Sequence, residues 1–387
     1  MPCQCNNKIP WITSTPDPKS HLEACGLVKT DAAAGWAETF KSTISAVEKA
    51  FGSGAWFFVG AFAALIWFVI VFVLALVAMI IVEIIDAIIA AVKSIINSFI
   101  DLFSHDTDGS LNVMFSLDDG STFDNKITFG RSSEAPALAF DASHLYVGWT
   151  DTDNKVTVLV APTPSTTTFE KANDDGPALA FGNGQLFVAW QGTDNHLNIM
   201  SSADGKNFGN KITLLETSKD NATPGLAYGD GRLYLSWIGT DNRINIISSP
   251  DGLSWGGKIT LDDTSGDDAT PALALGNGVL YLAWAGTDDN HPLNVMTLSH
   301  DMNGVLTQSA RVTLQESSTR KAGPGLAFGD EWVFLAWTGT DDQLNVLSSA
   351  DGQNFGNKQT FEKSSNDAGP ALAFGQGILC ISWIGQA

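Results

Sequence analysis

Hydrophobic and polar positions divide the chain into two regimes. Between Lys49 and Glu83 no charged residue occurs, and the stretch from Ala55 to Val82 (AWFFVGAFAALIWFVIVFVLALVAMIIV) is apolar on every face of a helix. At ~1.5 Å per residue this run would measure ~42 Å, more than the ~30 Å hydrocarbon thickness requires, so a transmembrane helix is predicted over 54–82. The run starts too late, is too long and lacks an A-x-A site, which excludes a cleaved signal peptide. Before it, a polar leader (1–30) gives way to Trp36, Phe40, Ile44, Val47 and Phe51 at helical spacing, predicting an amphipathic helix over 31–52 that Gly52 and Gly54 end. After it, the segment 83–104 is apolar apart from a narrow stripe of Glu83, Asp86, Lys93, Asn97 and Asp101. Such a stripe fits a helix lying in the membrane interface, or a seam or pore lining between subunits of a homo-oligomer built through residues 31–104. Lys8, Lys19, Lys29, Lys41 and Lys49 precede the span, and only Lys93 follows within twenty residues, which places the N-terminus in the cytoplasm and the rest outside.

From residue 107 to 387 the pattern changes to short period-2 runs, and one phrase recurs: PALAF at Pro136, Pro177 and Pro370, PGLAY at Pro224, PALAL at Pro271 and PGLAF at Pro324. The intervals are 41, 47, 47, 53 and 46 residues. One unit holds four strand patterns: ALAFG from Ala178 (A), QLFVAW ending at Trp190 (B), LNIMSS from Leu197 (C) and KITLL from Lys211 (D), with Gly-rich turns at Gly182-Asn183-Gly184 and Asp204-Gly205. Four short strands at this period signal a β-propeller. The array begins with C and D only, Leu111 to Phe129, and finishes with A and B only, Pro370 to Trp383. Joined, the halves make one blade and leave no open sheet edge, so a six-bladed, all-β propeller of four-stranded antiparallel blades is predicted, behind an α-helical membrane region.

Charge narrows the function. The chain carries −21, and from Asp106 onward 15 Lys+Arg face 34 Asp+Glu. Such an acidic surface repels phosphate backbones, so nucleic acid is excluded as a partner. Cys3 and Cys5, one residue apart, lie with Cys25 in the leader and Cys380 alone in a strand; with no CxxC and no nearby His pair the four make neither a zinc site nor a disulfide scaffold. The Trp at 149, 190, 237, 284, 337 and 383 ends strand B in every unit, which favours blade-to-blade packing over a ligand cage.

Between strands C and D the chain reads SLDDGSTF from Ser116 to Phe123, with Asp118 and Gly120 inside it; one residue shorter are SADGKNF from Ser202 (Asp204, Gly205, Phe208), SPDGLSW from Ser249 (Asp251, Gly252, Trp255) and SADGQNF from Ser349 (Asp351, Gly352, Phe355). This resembles the Asp-box of bacterial-neuraminidase repeats, found in sialidases and in many non-catalytic propellers. The resemblance runs from about residue 107 to the end and fails at Ala161 to Phe169 and Ser299 to Leu306. It implies a structural role: the Asp caps backbone N–H groups and the aromatic packs between strands. A sialidase would need three converging arginines, a Tyr–Glu pair and an acid–base Asp. The chain has five Arg (Arg131, Arg232, Arg243, Arg311, Arg320) and no Arg-Ile-Pro motif, and Tyr146, Tyr234 and Tyr281 share the strand-B slot with Phe187 and Phe334. No constellation that breaks the repeat is apparent, so no catalytic residues are assigned.

The B–C loops repeat Thr193-Asp194-Asn195, Thr240-Asp241-Asn242, Thr287-Asp288-Asp289 and Thr340-Asp341-Asp342, and share a face with the D–A loops. Repeated around a ring, they could bind sugar hydroxyls or calcium, or serve as Asx-turns, the preferred of the two readings. The chain enters and leaves at this face, so a short tether from residue 103 turns it toward the membrane. The function expected is a membrane-anchored, non-catalytic propeller with a multivalent binding or adhesion surface, glycans being the ligand class the resemblance implies. The alternatives are a structural or pore-forming subunit of a helical-core oligomer and, least favoured, a hydrolase.

Overall fold

The computed structural model describes residues 109–161, 165–220, 222–266, 269–288, 290–300, 305–319, 322–364 and 368–385. The leader, the three helices expected over 31–104, their oligomer seam and Cys3, Cys5 and Cys25 lie outside the described residues. Among the described residues no helix is long and apolar enough to cross a membrane.

Twenty-four strands follow one another as β1 (Ser110–Ser116) and β2 (Asp124–Arg131); β3 (Ala137–Phe140), β4 (Leu145–Thr150), β5 (Lys155–Ala161) and β6 (Ser165–Lys171); β7 (Ala178–Gly182), β8 (Gln185–Gln191), β9 (His196–Ser202) and β10 (Gly209–Thr217); β11 (Gly225–Gly229), β12 (Arg232–Ile238), β13 (Arg243–Ser249) and β14 (Gly256–Thr264); β15 (Ala272–Gly276), β16 (Val279–Ala285), β17 (Pro292–His300) and β18 (Leu306–Ser317); β19 (Gly325–Gly329), β20 (Trp332–Thr338), β21 (Gln343–Ser349) and β22 (Gly356–Lys363); and β23 (Ala371–Gly375) with β24 (Ile378–Ile384). Each group of four, β3–β6 through β19–β22, is one antiparallel sheet and gives blades 1 to 5.

Blade 6 is composite, in the order β2-β1-β24-β23, with Leu111 opposite Ile384 and Ser116 opposite Leu379. The termini even rebuild the missing loop. Gly385 N–H donates to Ser110 O at 2.8 Å and Ser132 N–H to Gly109 O at 3.0 Å, as Gly192 N–H does to His196 O and Ser218 N–H to Asn195 O in blade 2. The predicted closed ring of six blades is the structure observed.

The core lies between blades rather than inside them. One buried cluster joins Tyr146, Val158 and Val160 of blade 1 to Leu179, Leu186 and Trp190 of blade 2, and five others repeat the arrangement. Strands D are the outer edges and alternate buried and exposed positions, whereas B and C are buried almost throughout, as strands covered on both faces must be. The A strands adjoin one another around the axis. The residues that lead into these strands, among them Pro136, Pro177, Pro224, Pro324 and Pro370, line a funnel open to solvent.

Candidate functional site

The B–C loops are built from the backbone outward. In blade 2 Asn195 N–H donates to Gly192 O at 2.8 Å and Asn195 sits at φ 63°, a conformation Asn tolerates. Asp194 Oδ1 accepts the His196 N–H at 3.2 Å, and the same Asx contact is made by Asp241 to Arg243 at 3.1 Å and by Asp341 to Gln343 at 3.2 Å. Gly192 leaves room for the turn's side chains, since an added Cβ would stand 2.7 Å from Asn198 Nδ2 and 2.9 Å from Asp194 Oδ1 and push both aside. One carboxylate oxygen of each Asp is therefore spent on its turn. Thr193, Thr240, Thr287 and Thr340, with Asp194, Asp241, Asp288 and Asp341, are exposed. The fold brings these loops to one face but keeps one on each blade, so each is a separate patch; Asp289 lies outside the described residues. Among the described residues no three His, Cys, Asp or Glu side chains are placed to hold a metal ion.

At the opposite ends of the strands the C–D turns wrap a carboxylate. Asp204 Oδ1 accepts the backbone N–H of Lys206 at 2.9 Å and of Asn207 at 2.8 Å, while Asn207 Nδ2 donates to Oδ2 and Ser202 Oγ to Oδ1. Asp251 and Asp351 repeat the pattern with Leu253, Ser254, Gln353 and Asn354; Asp118, in the turn with one extra residue, accepts Thr122 N–H at 2.8 Å. Ser116, Ser249 and Ser349 each accept the N–H of the turn glycine, Gly120, Gly252 and Gly352. The donors stabilise the ionised form, so the Asn207 and Lys206 N–H groups hold Asp204 below its ordinary range, and those of Ser254 and Leu253 do so for Asp251. Phe123 packs edge-on to Phe361 of blade 5, Phe208 meets Phe169 of blade 1 at 4.7 Å, Phe355 joins the blade 4–5 cluster, and Trp255 Nε1 donates to Gly252 O at 2.9 Å. The turns tie each blade to the one before it.

The six strand-B tryptophans are at most 7 % exposed. A cation from strand D covers five of them: Lys126, Lys211, Lys258, Arg311 and Lys358 lie 5.1 to 5.7 Å from the ring centres of Trp383, Trp190, Trp237, Trp284 and Trp337. Each cation also pairs with an acid of the preceding blade, as Lys211 does with Glu170 at 2.9 Å and Lys358 with Glu316 at 2.6 Å; Lys126–Glu362, Lys258–Glu216 and Arg311–Asp263 complete the set. Trp149 meets the edge of Phe129 instead. No ligand can stack on rings so covered. The D–A loops complete the seams: Ser132, Ser218, Ser265 and Ser318 donate through Oγ to the last strand-B carbonyls of the next blade.

Two groupings depart from the repeat, and the sequence reading missed both. In the A–B turn of blade 1, Asp141-Ala142-Ser143-His144 replaces the G-x-G of blades 2, 3, 4 and 6. Asp141 Oδ2 accepts from Tyr146 Oη at 2.7 Å and lies 2.9 Å from His144 Nδ1. Partial burial works to raise the Asp141 pKa, but these bonds and the Ser143 and His144 N–H groups outweigh it and hold it low. The second grouping is Asp175 with Glu134 in successive D–A loops. Asp141 follows strand A and Asp175 precedes it, so the two lie at opposite ends of the blade stack and form no joint site.

No family model matches the chain, and no curated protein matches it by sequence. Solved structures match its fold. A triple arginine-to-alanine mutant of AofleA from Arthrobotrys oligospora is similar at TM-score 0.50 and 12 % identity, over 62 % of this chain and 75 % of that one. The Aleuria aurantia lectin, a six-bladed propeller with fucose recognition, gives TM-score 0.47 and 14 % identity over 59 % of this chain and 80 % of its own. An α-L-arabinofuranosidase from Clostridium thermocellum gives 0.41 and 14 %, over 59 % of this chain and 93 % of its own. At such identities the likeness is one of fold.

Proposed function

We propose that the chain is a membrane-anchored, non-catalytic propeller whose B–C loops offer a glycan several equivalent contacts. The observation that carries this reading is the repetition of one loop geometry on one face. The turns at Asp194, Asp241 and Asp341 are closed from within by the Asp Oδ1, and each leaves an exposed Thr beside an exposed carboxylate, the outer oxygen of Asp194 lying 3.5 Å from His196 Nδ1. Acceptors and hydroxyls held by a rigid scaffold are what sugar hydroxyls require, and no ordering penalty is added when they bind. A single shallow patch binds weakly, but three on one ring act together on a branched or crowded glycan. The acids that recur from blade to blade are engaged elsewhere: Glu170, Glu216, Glu316 and Glu362 hold lysines at the seams, and Asp204, Asp251 and Asp351 close turns. Residues 54–82 supply the bilayer anchor in this reading.

The test is a glycan array with the detergent-solubilised full-length chain, fucosides included, beside the triple variant T193V/T240V/T340V. These substitutions remove outward hydroxyls and leave the Asp-closed turns in place. Array binding that falls by about tenfold or more in the variant supports the proposal. Undiminished binding, or turnover of a fluorogenic glycoside by the wild-type chain, defeats it.

A further inference from the structure

The position two residues before the strand-A proline is an alanine buried almost completely in four of the six blades: Ala222, Ala269, Ala322 and Ala368. In the loop that enters blade 1 it is Glu134, and in the loop that enters blade 2 it is Asp175. Asp175 is 0 % exposed, and neither carboxylate oxygen has a hydrogen-bond partner. Everything around it is arranged for a neutral group. The loop is held by its backbone: Thr150 Oγ1 donates to Asp175 O at 2.7 Å, Asn173 N–H to Gln191 O at 2.9 Å, and Gly176 N–H to Thr223 Oγ1 of the next loop at 3.0 Å. The elements that bond this loop therefore offer Thr150, Gln191 and Thr223, all uncharged. The charged groups that act on the carboxyl are Glu134 of the preceding loop and Asp174 of its own, both acids. An ionised carboxylate buried without partners is a large penalty, and a protein avoids it by keeping the proton or by opening the site to water.

We propose that Asp175 is a proton latch: the seam between blades 1 and 2 closes over the neutral carboxyl and loosens when that carboxyl ionises. Burial first, then Glu134 and Asp174, raise the pKa well above the ordinary value of 3.8. The sign follows from linkage. In the unfolded chain the group loses its proton near 3.8, while in the folded chain it keeps it to higher pH. Across that interval unfolding releases a proton, so stability is undiminished below the lower value and declines as pH rises toward the higher one. The same ionisation admits water at the loop 172–177, and the loosening is local because the other five D–A loops lack this aspartate.

The experiment compares the full-length chain with Asp175→Asn, which keeps the shape, and Asp175→Ala, which restores the residue of the sister blades. Thermal midpoints are read from pH 4 to pH 8, together with amide exchange of 172–177. The three proteins should melt alike at pH 4, and both variants should exceed wild type at pH 8 by about 3 °C or more. Protection of 172–177, taken relative to the intrinsic exchange rate at each pH, should fall as pH rises in wild type only. Equal pH slopes in wild type and Asp175→Asn would overturn the proposal. So would variants less stable than wild type at pH 8, which would mean the carboxylate has a favourable partner. Stabilisation of wild type, but not of the variants, by added sodium, magnesium or calcium would likewise overturn it in favour of a cation.

Discussion

At the scale of single residues, the seams depend on side chains that are absent as much as on those present. Gly205 is held at φ 68°, and a Cβ there would stand 2.6 Å from Tyr146 Cε1 and 2.8 Å from Val160 Cγ2 of the preceding blade. Gly184, at φ 72° in the A–B turn of the same blade, has nothing within 4 Å of such a Cβ. The two positions separate a backbone effect from a packing effect. Gly184→Ala should cost about 1 kcal/mol, the penalty of a left-handed alanine. Gly205→Ala should cost about 1–3 kcal/mol more, because the methyl must push a packed ring aside. Denaturant midpoints of the two variants measure the difference, and equal losses would mean that turn and ring do not meet. The pairing also explains the strand-B slot. Tyr146, Phe187, Tyr281 and Phe334 each lie under the turn glycine of the following blade. Tyr234 and Cys380 precede the two blades without that turn; the Tyr234 hydroxyl lies 3.5 Å from His300 Nε2, and Cys380 is a buried small residue whose thiol pKa burial raises.

At the scale of elements, the C–D turn is a hairpin closed by charge. Its carboxylates are stabilised as anions by turn N–H groups, so their contribution is present above the ordinary value of 3.8 and is lost as pH falls through the lower folded value. The triple variant D204N/D251N/D351N should therefore lose less stability than wild type between pH 4 and pH 2, read as thermal midpoints; parallel curves would show that the turns do not depend on the charge. This acid-side loss is opposite in sign to the effect of Asp175, and the two can be read in one titration. The elements were also where the sequence was most legible. Period-2 runs bounded by Gly-rich turns locate the strands of a typical blade such as β7–β10, because within it each strand pairs with its sequence neighbour and the turn chemistry is local. The closing blade was legible because each terminal half had what the other lacked. Less visible was what crosses a seam. The cations over Trp190 and Trp237 pair with acids about forty residues earlier, and that spacing has no local signature. Asp175 could be found only by setting the six D–A loops in register and noticing an acid among alanines; Asp141 and His144 needed the same comparison at the A–B turns.

At the scale of the molecule, the ring turns a weak local feature into a repeated one. A Thr-Asp-Asn turn on a single hairpin would be ordinary loop chemistry; held on successive blades, its outward atoms recur around a common axis. The acidic charge disfavours phosphate backbones at such a surface and is compatible with the neutral, hydroxyl-rich partner proposed above. The most direct test locates the ligand on the ring: amide-exchange footprinting of the full-length chain with and without the glycan that binds best on the array. The account expects slower exchange at 193–195, 240–242, 287–288 and 340–341, with the C–D turns around Asp204, Asp251 and Asp351 unchanged. Protection confined to the C–D turns, or to the His144 turn alone, would contradict it.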